Sequence, residues 1–160
     1  MQTTSYIIAL GSNRRHGRYG APVQVIDAAL SAVNLPLIAV SNTIQSRPIG
    51  PSSRTYANAV AVIETDLSPS ALLDHLKSVE RAFGRRSGQI WAARVIDLDI
   101  ILWSDGVWAS NKLRIPHTEF RKRAFVLGPI MEIAPDWRDP ITALSIKQLK
   151  ARLDRKRALP

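Results

Sequence analysis

The chain has no cysteine, which excludes a disulfide framework and any thiolate metal site. Nothing then requires an oxidising compartment, and a reducing cytoplasm suits it. A long apolar run is missing too. The start, "MQTTSYIIALGSN", has no basic leader and only the brief "YIIAL", too short for a secretory signal or a membrane span, so it reads as a first strand. No internal repeat, low-complexity tract or Gly/Ser linker divides the 160 residues, and 46% hydrophobic content supports one core; residues 1–160 are read as a single domain. Acidic side chains are the scarcer sign, 13 Asp and Glu against 22 Lys and Arg, for a formal charge of +9. That excess attracts a polyanion, whether nucleic acid, an acidic surface or nucleotide phosphates, and charge alone does not choose among them. Also missing are the glycine-rich P-loop, the H-E-x-x-H of zinc peptidases and the G-x-S-x-G of serine hydrolases.

What is present is an alternation of strand and helix patterns. "SYIIAL" is a strand ended by the Gly11-Ser12-Asn13 turn, and "APVQVIDAALSAV", Ala21 to Val33, has apolar residues at helical spacing with Pro22 near its start. "LPLIAVSNTI" reads as a second strand and "YANAVAVIET" as a third. The strongest helix follows: Ser68 suits the N-cap, Leu72, Leu73, Leu76, Val79 and Phe83 form an apolar stripe, and Gly84 suits the C-terminal end. A basic loop leads to "RVIDLDIILW"; then come an extended "VWASNKLRIPH", a helix from about Phe120 to Ala134 and a terminal amphipathic helix around "ALSIKQLKARL". The order β-α-β-β-α-β predicts a ferredoxin-like α+β sandwich, an antiparallel sheet with helices on one face and C-terminal helical additions. The other sheet face is then expected to be free for a ligand.

The fourth strand carries Asp97 and Asp99 within an apolar run. Alternation puts both on one face, Cβ atoms about 6.5 to 7 Å apart, with Ile96, Leu98 and Ile100 on the other. A solvated strand face is the ordinary reading of D-x-D. Aspartate, however, disfavours strands, and like charges on neighbouring same-face positions repel. A bound Mg²⁺ or a nearby arginine would offset that cost, and paired oxygen ligands suit ions bridging triphosphate oxygens. Arg85, Arg86 and Arg94 precede the acids, and Lys112, Arg114, Arg121, Lys122 and Arg123 follow them. These are candidate phosphate clamps, although each alone is more often a solvated charge. His117 suits either a phosphate contact or a structural hydrogen bond. Tyr56 and Phe125 offer stacking faces and Asn58 an amide for a ring edge, but aromatics in such places are more often core residues.

Together, "YIIALGSN", "SRPIG" with "YANAV", "VERAFGRR", "RVIDLDIIL" and "IPHTEFRKRAFVLGPIMEIAP" resemble the 6-hydroxymethyl-7,8-dihydropterin pyrophosphokinase family of the folate pathway, in the right order from Tyr6 to about Asp136. The resemblance implies transfer of the β,γ-pyrophosphoryl group of ATP to the pterin hydroxymethyl oxygen, releasing AMP. It implies that Asp97 and Asp99 hold two Mg²⁺ ions. Tyr56 and Phe125 would sandwich the pterin, and Asn58 would read its edge with backbone groups of the loop that contains Ser46 and Ile49. His117, Arg123 and Lys112 would contact ATP phosphates, and Ile100 would line the adenine pocket. Residues 85 to 94 match a loop that closes over both substrates, carrying Arg85 and bringing Trp91 and Arg94 in. Arg94, Asp97, Asp99 and Arg123 form the implied catalytic set, in a monomer whose partners are small molecules, with no membrane.

That loop departs from the family pattern. Members usually read basic-W-G-P-R-T before the acids, whereas this chain has Ile90, Trp91, Ala92, Ala93, Arg94 and Val95. Lys112 stands where an arginine is common, which keeps the charge and loses the fork. A non-catalytic or repurposed relative that binds pterin or nucleotide is therefore an alternative. A ferredoxin-like nucleic-acid-binding domain is another, disfavoured because alternate strand positions lack the aromatics that stack bases.

Overall fold

In the computed structural model the described residues are 2–46, 55–84 and 95–158. Five strands form one antiparallel sheet: β1 (Thr4–Ser12), β2 (Leu37–Val40), β3 (Ile44–Ser46), β4 (Tyr56–Thr65) and β5 (Asp97–Trp103). Their order is β2-β4-β1-β5, with β3 pairing β4 beside β2. α1 (Pro22–Val33) connects β1 to β2 and α2 (Pro69–Gly84) connects β4 to β5, which gives the expected βαββαβ arrangement. Ser68 caps α2 as its sequence suggests, its Oγ accepting the Ala71 N–H at 3.2 Å.

The second strand is two pieces. Between β2 and β3 the Ser41 N–H donates to the Val60 carbonyl and the Ser41 Oγ accepts the Val60 N–H, both at 3.0 Å. A side-chain hydroxyl thus stands in for a ladder carbonyl while the chain bends. Both faces of the sheet are packed. Toward α1 and α2 lie Tyr6, Ile8 and Leu10 of β1, alanines 57, 59 and 61 of β4, and Leu98 and Ile100 of β5. Toward the opposite side lie Ile7, Val60, Val62, Ile101 and Leu102, covered by α3 (Ala124–Ile133) and α4 (Ile146–Ala158) through Val126, Leu127, Ile130, Ile146 and Leu149. Ile101 and Leu102 share that face because the β1–β5 register slips by one residue: Ile8 pairs with Ile100 and Ile7 with Leu102, leaving Ile101 as a bulge.

The expectation of a wholly open second face is therefore corrected. An antiparallel sheet of this size leaves large aliphatics on both sides, and α3 and α4 remove them from water. Among the described residues the end near Gly11, Asn58 and Asp97 opens onto a cleft. The expected helix from Phe120 to Ala134 is also interrupted, into a 3-10 turn (Phe120–Lys122) and α3, with Arg123 extended at φ −106° and ψ 103° between them. A short hairpin of β6 (Trp108–Ala109) and β7 (Arg114–Ile115) precedes that turn.

Candidate active site

The cleft end of the sheet is built from three strands whose registers align. Gly11 of β1 sits between Asn58 of β4 and Asp97 of β5, and Ala9 sits between Val60 and Asp99. Strand alternation then brings Tyr56, Asn58, Ala9, Gly11, Asp97 and Asp99 to one face. The central strand contributes almost no side chain there, so it forms a floor, with an amide wall on one side and a carboxylate wall on the other. A Cβ at Gly11 would stand 3.2 Å from Asn58 Oδ1; the glycine serves close approach at this position.

Arg123 and Phe125 close the cleft from above, giving a cavity of about 300 Å³. In an uninterrupted helix two residues i and i+2 point roughly 200° apart. The extended backbone at Arg123 lets both line one cleft, and the guanidinium carbon lies 5.7 Å from the Phe125 ring centroid. The core reading of the two aromatics is overturned: Tyr56 and Phe125 are each 42% exposed and line the same space. Two exposed ring faces on one slot suit a flat, π-bonded ligand.

The implied site residues divide as follows. Asp97, Asp99, Arg123, Tyr56, Asn58 and Phe125 meet in the cleft. Ile100 does not: its side chain is 2% exposed in the core under α1 and α2, because strand alternation turns it away from the aspartates. Lys112 lines a separate cavity of about 360 Å³ with Leu73 and Asp74 of α2. Ser46 is the last residue of β3, paired with Tyr56. Ile49, Arg85, Trp91 and Arg94 lie outside the described residues. Arg121, one of the candidate clamps, is already committed, for its Nε and Nη2 donate to Asp139 Oδ2 and Oδ1 at 2.6 and 2.8 Å. Missing from the sequence reading were Ala9, Gly11, Ser12 and Asn13, which also line the cleft. The run of small residues in "ALGSN" was the available signal.

His117 stands at the rim of this arrangement. Its N–H donates to the Ile101 carbonyl at 2.9 Å, and its Nδ1 accepts the Glu119 N–H at 3.1 Å. In the neutral ring the proton therefore resides on Nε2, which is left as a donor. Burial pulls its pKa below the usual histidine value; Asp99 works against that shift, Arg123 with it, and Glu119 against it. A base whose folded pKa is depressed stabilises the fold above its unfolded value near 6.5, and that contribution is lost as pH falls through the folded value. Asparagine keeps an acceptor but does not titrate. The stability advantage of the parent over His117→Asn is expected to narrow as pH falls below 6.5, read by urea denaturation at several pH values; a constant gap would contradict it.

Among the described residues no group of three or more His, Cys, Asp or Glu side chains forms a metal cage. Two same-face carboxylates on a cleft are nonetheless a fitting donor set for Mg²⁺, which takes one or two carboxylates and completes its shell with phosphate oxygens and water.

The fold is a ferredoxin-like α+β sandwich whose cleft brings two exposed aromatic rings and an amide together with a pair of carboxylates and an arginine. The chain belongs to the 7,8-dihydro-6-hydroxymethylpterin-pyrophosphokinase (HPPK) family, whose model matches residues 7–135. It is 39% identical over 158 residues to the 2-amino-4-hydroxy-6-hydroxymethyldihydropteridine pyrophosphokinase of Haemophilus influenzae, covering 96% of this chain and 95% of the relative. The namesake from Pseudomonas aeruginosa is 40% identical over 138 residues, 83% of this chain and 82% of that one. Among solved structures, an HPPK-DHPS in complex with substrates superposes with a TM-score of 0.76 at 12% identity, over 98% of this chain and 45% of that chain. Wild-type Plasmodium falciparum HPPK-DHPS gives 0.73 at 14% identity, over 99% and 43%. The chain spans less than half of either of those two, and at such identities they speak for the fold alone. No helix among the described residues is long and apolar enough to cross a membrane.

Proposed function

We propose that this protein transfers the β,γ-pyrophosphoryl group of ATP to the hydroxymethyl oxygen of 6-hydroxymethyl-7,8-dihydropterin, releasing AMP, in folate biosynthesis. The observation that carries this reading is the meeting of Tyr56, Asn58 and Phe125 with Asp97, Asp99 and Arg123 in one cleft. The pterin lies between the two rings and presents its amide edge to Asn58, which directs its hydroxymethyl arm toward the carboxylate wall. Two Mg²⁺ held by Asp97 and Asp99 would neutralise the triphosphate and polarise its β-phosphorus. Arg123 and His117 Nε2–H contact phosphate oxygens, and Lys112 would add a further phosphate contact. The hydroxyl oxygen forms the new bond to the β-phosphorus, the bond from that phosphorus to the α,β-bridging oxygen breaks, and the hydroxyl proton is released. No protein nucleophile is needed; positioning and charge stabilisation carry the rate. The reading includes a monomer working in the cytoplasm.

The test is AMP formation from ATP and Mg²⁺ with and without the pterin. Pterin-dependent AMP supports the reading. Pterin binding without AMP would favour the non-catalytic alternative, which the substituted Ile90, Ala93 and Val95 motivate. Gly11→Ala probes the slot itself. Its methyl would push on Asn58 Oδ1 from 3.2 Å, and losing one ring-edge hydrogen bond worth about 1.4 kcal/mol corresponds to roughly tenfold in affinity. Steady-state kinetics should show the pterin KM rising about that much while the ATP KM holds; unchanged pterin KM would mean that Asn58 does not read the ring.

A further inference from the structure

The core-facing stripe of α2, Leu72, Leu76, Val79 and Phe83, includes an acid: Glu80 is 7% exposed. Two general costs attach to it. A buried carboxylate is unfavourable without partners, and an acid in the C-terminal part of a helix opposes the macrodipole. Among the described residues its carboxylate has two partners. Oε1 lies 3.0 Å from Lys77 Nζ on the same helix, and Oε2 accepts the backbone N–H of Leu98 at 3.0 Å. Leu98 is the residue between Asp97 and Asp99, and β5 is the last strand in the sheet order β2-β4-β1-β5. The Leu98 N–H, bonded to Glu80 and not to β1, lies on the outer edge, where no other strand among the described residues takes it.

We propose that Glu80 is a positioning residue for the two aspartates: by holding the outer edge of β5 at Leu98, it fixes the spacing and direction with which Asp97 and Asp99 meet divalent cations. The inference rests on the proposed function. The anchored N–H belongs to the peptide that joins Leu98 to Asp97, and Asp99 follows Leu98 directly, so a tilt of that peptide plane changes the aim of both. Outer groups that orient metal ligands commonly affect affinity by about 10- to 100-fold.

Two conservative variants separate anchoring from charge. Glu80→Asp keeps the charge and withdraws the oxygens by one methylene; Glu80→Gln keeps an acceptor at full length and loses the charge. The readouts are Mn²⁺ affinity by electron paramagnetic resonance with a non-hydrolysable ATP analogue, hydrogen exchange at the Leu98 amide without metal, and pterin affinity by fluorescence. Glu80→Asp is expected to lower Mn²⁺ affinity about tenfold or more and to speed exchange at Leu98, whereas Glu80→Gln stays within about threefold of the parent. Pterin affinity should be unchanged in both, which purely structural damage would not spare. Parental Mn²⁺ affinity in Glu80→Asp, or an equal loss in Glu80→Gln, would overturn the proposal. A parent chain that binds no Mn²⁺ with the analogue would overturn the proposed function along with it.

Discussion

Replacing Asp97 and Asp99 together with alanine is expected to reduce pterin-dependent AMP formation by at least about 10³-fold while leaving the protein folded. The size follows from the chemistry. Removing preorganised stabilisation of a transferring phosphoryl group costs several kcal/mol, and on the proposed function both carboxylates that would hold the cations go. The fold survives because neither side chain fills the core; Asp97 is exposed and Asp99 half-buried, on the cleft side of β5. Aspartate is also a poor strand residue and the two carry like charges, so thermal stability should change by no more than about 1 kcal/mol, in either direction. Asp97→Asn and Asp99→Asn, each close in shape, isolate the charge. Activity of the double variant within tenfold of the parent would remove the aspartates from the mechanism.

The largest expected effect on stability lies elsewhere. Asp139 is fully buried and accepts two bonds from the Nε–Nη2 edge of the Arg121 guanidinium, one from Thr142 Oγ1 at 2.7 Å and one from the Ile141 N–H at 3.0 Å. Burial pushes its pKa up, but the bonds from Arg121, Thr142 and Ile141 and the arginine's charge outweigh that and hold it below the usual value. An acid with a depressed folded pKa stabilises above its unfolded value and loses that contribution as pH falls through the folded one. Asp139→Ala strands a guanidinium and two further donors, which typically costs about 3–5 kcal/mol. Against the roughly 5–15 kcal/mol of an ordinary domain, much of the stability would be lost, as urea titration would show. A loss under 1 kcal/mol would mean that water satisfies Arg121 instead. Arg123→Ala should do the reverse, sparing stability and lowering turnover.

Arg121 and Arg123 mark where the sequence was legible and where it was not. The strand and helix order was readable because apolar period and turn residues agree locally, as with Ser68 at the head of α2. The aspartate pair was readable because its alternation against Ile96, Leu98 and Ile100 breaks strand preference. Two arginines two residues apart carry no such difference; only the tertiary partner, Asp139, separates the anchor from the cleft residue. The breaks at Ser41 and Arg123 were hidden for a related reason. One depends on a hydroxyl replacing a carbonyl across strands, and the other falls in a stretch with helical apolar spacing. Tyr56 and Phe125 have compositions that favour burial, and their exposure follows from what α3 and α4 leave uncovered.

The bulge at Ile101 has an evolutionary side. Ile101 has no partner residue in β1, and its carbonyl accepts the His117 N–H. A descendant lacking that single codon would keep the pairs Ile8 with Ile100 and Ile7 with Leu102, and with them the aspartates and the sheet. It would lose the docking point of the histidine. One insertion or deletion would thus attach or release a side chain proposed to contact phosphate while the flanking strand pairs stay in place, at the cost of the buried Ile101 side chain.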